Sequence, residues 1–157
     1  MSPTPITMAD RADPARRRLL LAGLAGALLP RRLAAANGEE AMRMNCRFAD
    51  QALSIALIDT PAARDLYSML PLDLTIEDYS NNEKIAYLPR KLTEDGAAPF
   101  GDEAPGDFCY YAPWGNIVFF YDSYRYSRGL IRLGRIEGGV EPLHTRGEFP
   151  LRIEAAT

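Results

Sequence analysis

Arg43-Met44-Asn45-Cys46-Arg47-Phe48-Ala49-Asp50-Gln51-Ala52-Leu53-Ser54-Ile55-Ala56-Leu57 is the stretch on which the reading of the fold turns. Met44, Cys46 and Phe48 fall at every second position with Arg43, Asn45 and Arg47 between them, which is the period of a strand with one buried face. After a turn at Ala49-Asp50-Gln51 the pattern repeats in Leu53, Ile55 and Leu57, so the two segments form a hairpin. Leu72, Leu74 and Ile76 alternate in the same way against Asp73, Thr75 and Glu77, and so do Phe149, Leu151 and Ile153 against Arg152 and Glu154. Four one-sided strands need a common core.

Between the second and third strands, Thr60-Pro61 supplies a capping hydroxyl followed by proline in the first helical turn, where its missing N–H costs nothing. A helix is expected over 62–70, with Leu66, Met69 and Leu70 as its apolar stripe and Pro71 as its stop. Pro113-Trp114-Gly115-Asn116 is a turn between two further strands, Phe108-Cys109-Tyr110-Tyr111 and Ile117-Val118-Phe119-Phe120. The second is apolar throughout, as in a strand covered on both faces. Leu130 to Ile136 breaks alternation, because Ile131 and Leu133 would share a face with Arg135. A bulge at Gly134 restores the phase, with Ile131, Leu133 and Ile136 inside and Arg132 and Arg135 outside. Many short strands, close turns and one helix predict a mainly β fold, a small closed or nearly closed barrel with one short helix.

Thr60-Pro61-Ala62-Ala63-Arg64-Asp65-Leu66 within 55–74, Glu83-Lys84-Ile85-Ala86-Tyr87-Leu88-Pro89, Tyr110-Tyr111-Ala112-Pro113-Trp114-Gly115-Asn116 and Tyr126 to Ile136 together resemble the small bacterial cyclophilin-like domains. The resemblance spans about residues 43 to 154. It implies a β-barrel related to the cyclophilins and no settled activity. The Phe-His-Arg triplet of true cyclophilins is missing, and the single histidine, His144, sits in Leu143-His144-Thr145-Arg146. No catalytic residue carries over.

The amino-terminal segment is an address. Residues 15–36 run from Ala15-Arg16-Arg17-Arg18 through the apolar stretch Leu19 to Leu29 to Ala34-Ala35-Ala36, the order of an export signal. An apolar run of 11 residues is short of the roughly 20 needed to cross a bilayer. Arg16-Arg17-Arg18-Leu19-Leu20 resembles a bacterial twin-arginine signal, although Ala15 stands where Ser or Thr is common. The expected division is a signal peptide over 1–36, a short linker over 37–42 and one domain over 43–157, delivered to the periplasm or secreted. After signal removal no membrane association is expected. Residues 1–38 carry a net charge of +4 and the remainder −7, and a negative body repels a phosphate backbone, so nucleic-acid binding is disfavoured. Export would place Cys46 and Cys109 in an oxidising compartment; the sequence leaves open whether they pair or pack as free thiols.

Chemistry is less legible. No Cys/His set closes a zinc site, no glycine-rich loop follows a strand, and no serine has a histidine in a recognisable motif, so no cofactor, metal or catalytic residue is expected. The acidic stretch from Thr93 to Asp107 is expected to be a solvated flexible loop, and Glu83 with Lys84 surface charges. The informative feature is aromatic density between Phe108 and Tyr126. Phe119 and Phe120 are expected in the core, whereas Tyr110, Tyr111, Trp114, Tyr121, Tyr124 and Tyr126 have polar ends that suit a groove. The expected ligand-binding set is Tyr110, Tyr111, Trp114, Asn116 and Arg128, at a barrel mouth. A non-catalytic binding or accessory module for a small molecule or extended peptide is the primary expectation. The alternative is a peptidyl-prolyl isomerase by fold analogy alone, with Arg128, Arg132 or Arg135 as its donor. The oligomeric state is not legible.

Overall fold

The computed structural model describes residues 41–157; the segment expected to be an export signal and the start of the expected linker lie outside them. Within the described residues, eight strands form one closed antiparallel barrel: β1 (Arg43–Phe48), β2 (Gln51–Leu57), β3 (Leu72–Tyr79), β4 (Glu83–Tyr87), β5 (Asp107–Tyr111), β6 (Asn116–Phe120), β7 (Leu130–Glu137) and β8 (Phe149–Ala155). Around the wall they run β1-β2-β7-β5-β6-β4-β3-β8, and β8 closes onto β1. The hairpin register pairs Phe48 with Gln51, so Ala49 and Asp50 make the turn, with Ala49 left-handed. Among the described residues, no helix is long and apolar enough to cross a membrane.

The four alternating faces do share one core. Met44, Cys46, Phe48, Leu53, Ile55, Leu57, Leu72, Ile76, Leu151 and Ile153 are all buried in it, with Leu74 and Phe149 packed at its edge. The short α-helix, α1 (Pro61–Ser68), is capped by Thr60, whose Oγ1 accepts a hydrogen bond from Ala63 N–H at 3.3 Å. It stops two residues before the expected end; Leu66 is fully buried, while Met69 and Leu70 pack on the core from the turn beyond it. A 3-10 helix (Glu141–His144) precedes β8.

The bulge lies where the broken alternation demands it. Phe108 pairs with Gly134 but Cys109 pairs with Arg132, which leaves Leu133 as the extra residue of β7. A side chain at Gly134 would collide with the Ala56 carbonyl and Leu57 Cα, so the neighbouring strand approaches only because glycine is there. Ile131 and Leu133 then face the interior and Arg132 the outside.

Strand β6 is covered on both faces. Ile117 and Phe119 belong to the barrel core, whereas Val118 and Phe120 join an outer cluster with Ile85, Cys109 and Leu130. Cys46 and Cys109 therefore lie on opposite sides of the wall and are free, buried thiols.

The outer cluster corrects the expected loop. Residues 94–99 are exposed, but from Phe100 onward the segment folds down over the barrel wall. Phe100 packs edge-on against Tyr126 at 5.2 Å and lies beneath the Arg132 guanidinium at 4.2 Å. Asp102 Oδ1 accepts from Arg132 at 2.9 Å, and Glu103 Oε1 accepts from Tyr126 N–H at 2.7 Å. The outward Arg132 needs counter-charges, and the acidic loop provides them.

Lys84 also departs from expectation. Paired in register with Asp78 on β3, it points inward and is fully buried. Its Nζ donates to Asp78 Oδ1 at 2.7 Å and lies 5.9 Å from the rings of Phe48 and Phe149.

Candidate binding site

Strand alternation separates two neighbouring tyrosines. Tyr110 faces inward and is fully buried, its hydroxyl accepting from Leu92 N–H at 3.2 Å. This ties the chain after β4 to the core and takes Tyr110 away from the outer surface. Tyr111 faces outward, paired in register with Asn116 at the start of β6. The turn between them is closed by Gly115, left-handed at φ 75°, whose N–H donates to Tyr111 O at 2.9 Å. That tight turn lifts Trp114 off the barrel. Its side chain is 48% exposed and meets two rings edge-on, Tyr111 and Tyr79, each at 5.4 Å and 79°.

These rings border a cavity of about 310 Å³ on the outer wall, over β3, β4, β5 and β6, rather than at a barrel mouth. Ile85, Val118 and Leu130 contribute its apolar floor, and Phe120 and Tyr124 a further wall. Tyr124 stacks on Phe120 at 3.5 Å and donates its hydroxyl to the buried Asp107 at 2.6 Å, so this wall is fixed from behind. Asn82, Arg125 and Ser127 complete the surroundings. The volume lies at the lower end of small-molecule sites, about 300–1,000 Å³.

Of the expected set, Tyr111, Trp114 and Asn116 come together at the cavity, and Tyr110 does not. Arg128 is exposed and not among the lining residues; Arg125, three positions earlier, is. Of the other tyrosines, Tyr124 lines the cavity, Tyr121 is buried on the core side, and Tyr126 packs on Phe100. Asn116 is buried in the wall, and its Oδ1 has no hydrogen-bond partner.

Glu83 is not the surface charge that its sequence context predicts. It is a half-buried member of the cavity wall, flanked in register by Tyr79 on β3 and Phe120 on β6. Burial pushes its carboxyl up from 4.5 to about 7, because the low-dielectric surroundings penalise the charged form. A folded-state value above the unfolded one means that Glu83 favours folding below about pH 4.5, and that this contribution is lost as pH rises toward 7. The only sequence signal for it was its place two residues before Ile85 on one strand face.

Among known proteins, the family model described as the cyclophilin-like family matches residues 46–154. The solution structure of a hypothetical protein from Archaeoglobus fulgidus is similar, with a TM-score of 0.60 and 19% identity, covering 76% of this chain and 99% of that one. At that identity the likeness is one of fold. No curated protein matches the chain.

Proposed function

This chain belongs to the cyclophilin-like family, and from that premise we propose that it is an exported, non-catalytic binding or accessory module whose outer-wall cavity takes a small molecule or a short extended peptide. The observation that carries the reading is the convergence of Tyr111, Trp114 and Asn116 on a concave, ring-lined cavity. Rings that are rigid and amphipathic supply contact area with little entropy to lose, which is what a binding site needs. A prolyl isomerase of the cyclophilin kind needs a free arginine beside such a pocket. Arg132 and Arg135, two of the three arginines that the sequence offered for that role, are engaged with Asp107, at 3.1 Å each, and the third, Arg128, is outside the lining. The arginine that does line the cavity is Arg125, so the isomerase alternative would have to run through that residue.

Trp114→Ala is the direct test. A half-exposed ring is not a core plug, so the variant should retain its fold at a cost of about 1 kcal/mol, well below the 3–5 kcal/mol of a buried aromatic. It should also abolish the melting-temperature increase given by any ligand found in a thermal-shift screen. Unfolding of this variant, or ligand stabilisation that survives it, would refute the site.

The export half of the proposal rests on residues 15–36. Intact mass of the protein recovered from the cell envelope should begin at Asn37, and replacing Arg16 and Arg17 by Lys should slow its appearance there. Recovery of chain still starting at Met1 contradicts processing.

A further inference from the structure

We infer that the outer-wall cavity takes an organic ammonium ion, with Glu83 as its counter-ion and the Tyr79, Trp114 and Tyr111 rings packing around the cationic group. This rests on the proposed binding role and names its ligand class.

Two other carboxylates withdrawn from solvent have internal cations. Asp78 has Lys84 at 2.7 Å and Arg146 at 3.5 Å. Asp107 has Arg132 and Arg135. Glu83 is also withdrawn from solvent, yet among the described residues no cation forms an ion pair with it. A carboxylate removed from water without a partner is costly, and either a proton or an external cation must meet the charge.

The surroundings discriminate between kinds of cation. Glu83 stands between Tyr79 and Phe120 across the strands, with Trp114 edge-on to Tyr79. A bare divalent ion wants several oxygen ligands, and no group of three His, Cys, Asp or Glu suited to a metal occurs among the described residues. An ammonium carried on an organic body suits a single carboxylate with several rings, because ring faces attract cations while the floor of Ile85, Val118 and Leu130 receives the apolar part.

The other ionisable groups around Glu83 are Tyr79 from β3, Cys109 and Tyr111 from β5, and Tyr124 and Arg125 from the loop after β6. Burial pushes the Cys109 thiol up to about 12, and burial followed by the bond to Asp107 raises the Tyr124 hydroxyl. With its carboxyl pushed up to about 7, Glu83 is mostly protonated at pH 6 and mostly charged at pH 8.

The experiment is a calorimetric titration of the full chain with benzylamine and with benzyl alcohol, its neutral counterpart, at pH 6 and pH 8. Benzylamine should bind at least about tenfold more tightly than the alcohol at pH 8, a difference of about 1.4 kcal/mol. Its affinity should fall about tenfold from pH 8 to pH 6, as expected for a carboxylate titrating near 7. Glu83→Gln, nearly isosteric, should erase both the amine preference and the pH dependence while leaving alcohol binding intact. Its melting temperature at pH 8 should equal or exceed that of the parent, which shows the variant is folded. The pH comparison uses the unaltered chain and stands independently of that variant. Equal binding of amine and alcohol, or an amine preference that survives Glu83→Gln, overturns the ammonium assignment while leaving the cavity as a binding site. Binding of neither probe removes the parent reading as well.

Discussion

Asp78→Ala is expected to destabilise the barrel by about 3–5 kcal/mol, the usual cost of stranding one member of a buried ion pair. Lys84 is fully buried, and its remaining polar contact would be the Gly147 carbonyl at 3.4 Å. The same aspartate organises the chain beyond the barrel end, because its Oδ2 accepts from Gly147 N–H at 2.7 Å and faces Arg146 at 3.5 Å. Burial pushes the Asp78 carboxyl up, but the bonds from Lys84 and Gly147 and the charges of Lys84 and Arg146 outweigh it and hold the group below its ordinary value. Its contribution is thus fully present above the usual carboxylate range and is lost as pH falls through the lowered value. Lys84→Met should be far milder, at most about 1 kcal/mol, since an apolar chain of similar length keeps the packing between Phe48 and Phe149 and leaves Asp78 paired with Arg146. Urea unfolding of both variants measures this difference. Comparable losses would mean that the ammonium itself, and not the stranding of a charge, carries the effect. Against a total stability of about 5–15 kcal/mol, the Asp78 loss alone is enough to unfold a marginal domain.

Asp107→Ala should cost about 3 kcal/mol and, unlike Asp78→Ala, damage the cavity before it damages the barrel. The Asp107 carboxylate is fully buried and accepts from Tyr124 Oη at 2.6 Å, Arg132 at 3.1 Å and Ala104 N–H at 3.0 Å. Arg135 Nη2 lies 3.1 Å from its other oxygen, as a charge contact rather than an aligned hydrogen bond. Removing the carboxylate leaves three donors without their acceptor, each worth about 1–3 kcal/mol when buried, although Arg132 retains Asp102. Tyr124 would lose the bond that holds it on Phe120, so any ligand of the cavity should bind more weakly than stability loss alone predicts. Hydrogen exchange should show faster opening of residues 100–107 and 121–126 with the β1–β2 hairpin still protected. Uniform loss of protection would show instead that the outer cluster and barrel core form one cooperative unit.

The parts of this fold legible in the sequence are those governed by local period. Alternation in β1, β2, β3 and β8 identifies which side chains share the interior. Thr60-Pro61 marks the start of α1, and the interrupted phase near Gly134 marks the bulge. Each depends on neighbours two to four positions apart, and a chain carries that information without knowing its partners. The same holds for the turn that presents Trp114. The alternating pattern also implies that Tyr110 and Tyr111 face opposite ways; counting aromatic density instead put both in one groove.

The site itself was decided by tertiary structure. Glu83 and Lys84 are adjacent acidic and basic residues, and nothing local distinguishes a solvated pair from what forms here, a carboxyl in an outer cavity and an ammonium inside the barrel. Their fates are set by strand register, which brings Tyr79 and Phe120 beside Glu83 and Asp78 beside Lys84. Likewise, Asp107 reads as one acid among several in a loop until β5 and β7 bring Arg132 and Arg135 to it. Desolvation and charge pairing depend on what approaches across space, so a charge pattern along the chain cannot reveal which carboxylate is paired and which is left without a partner. Hydrophobic period determined the barrel; closure of the barrel determined where its charges went.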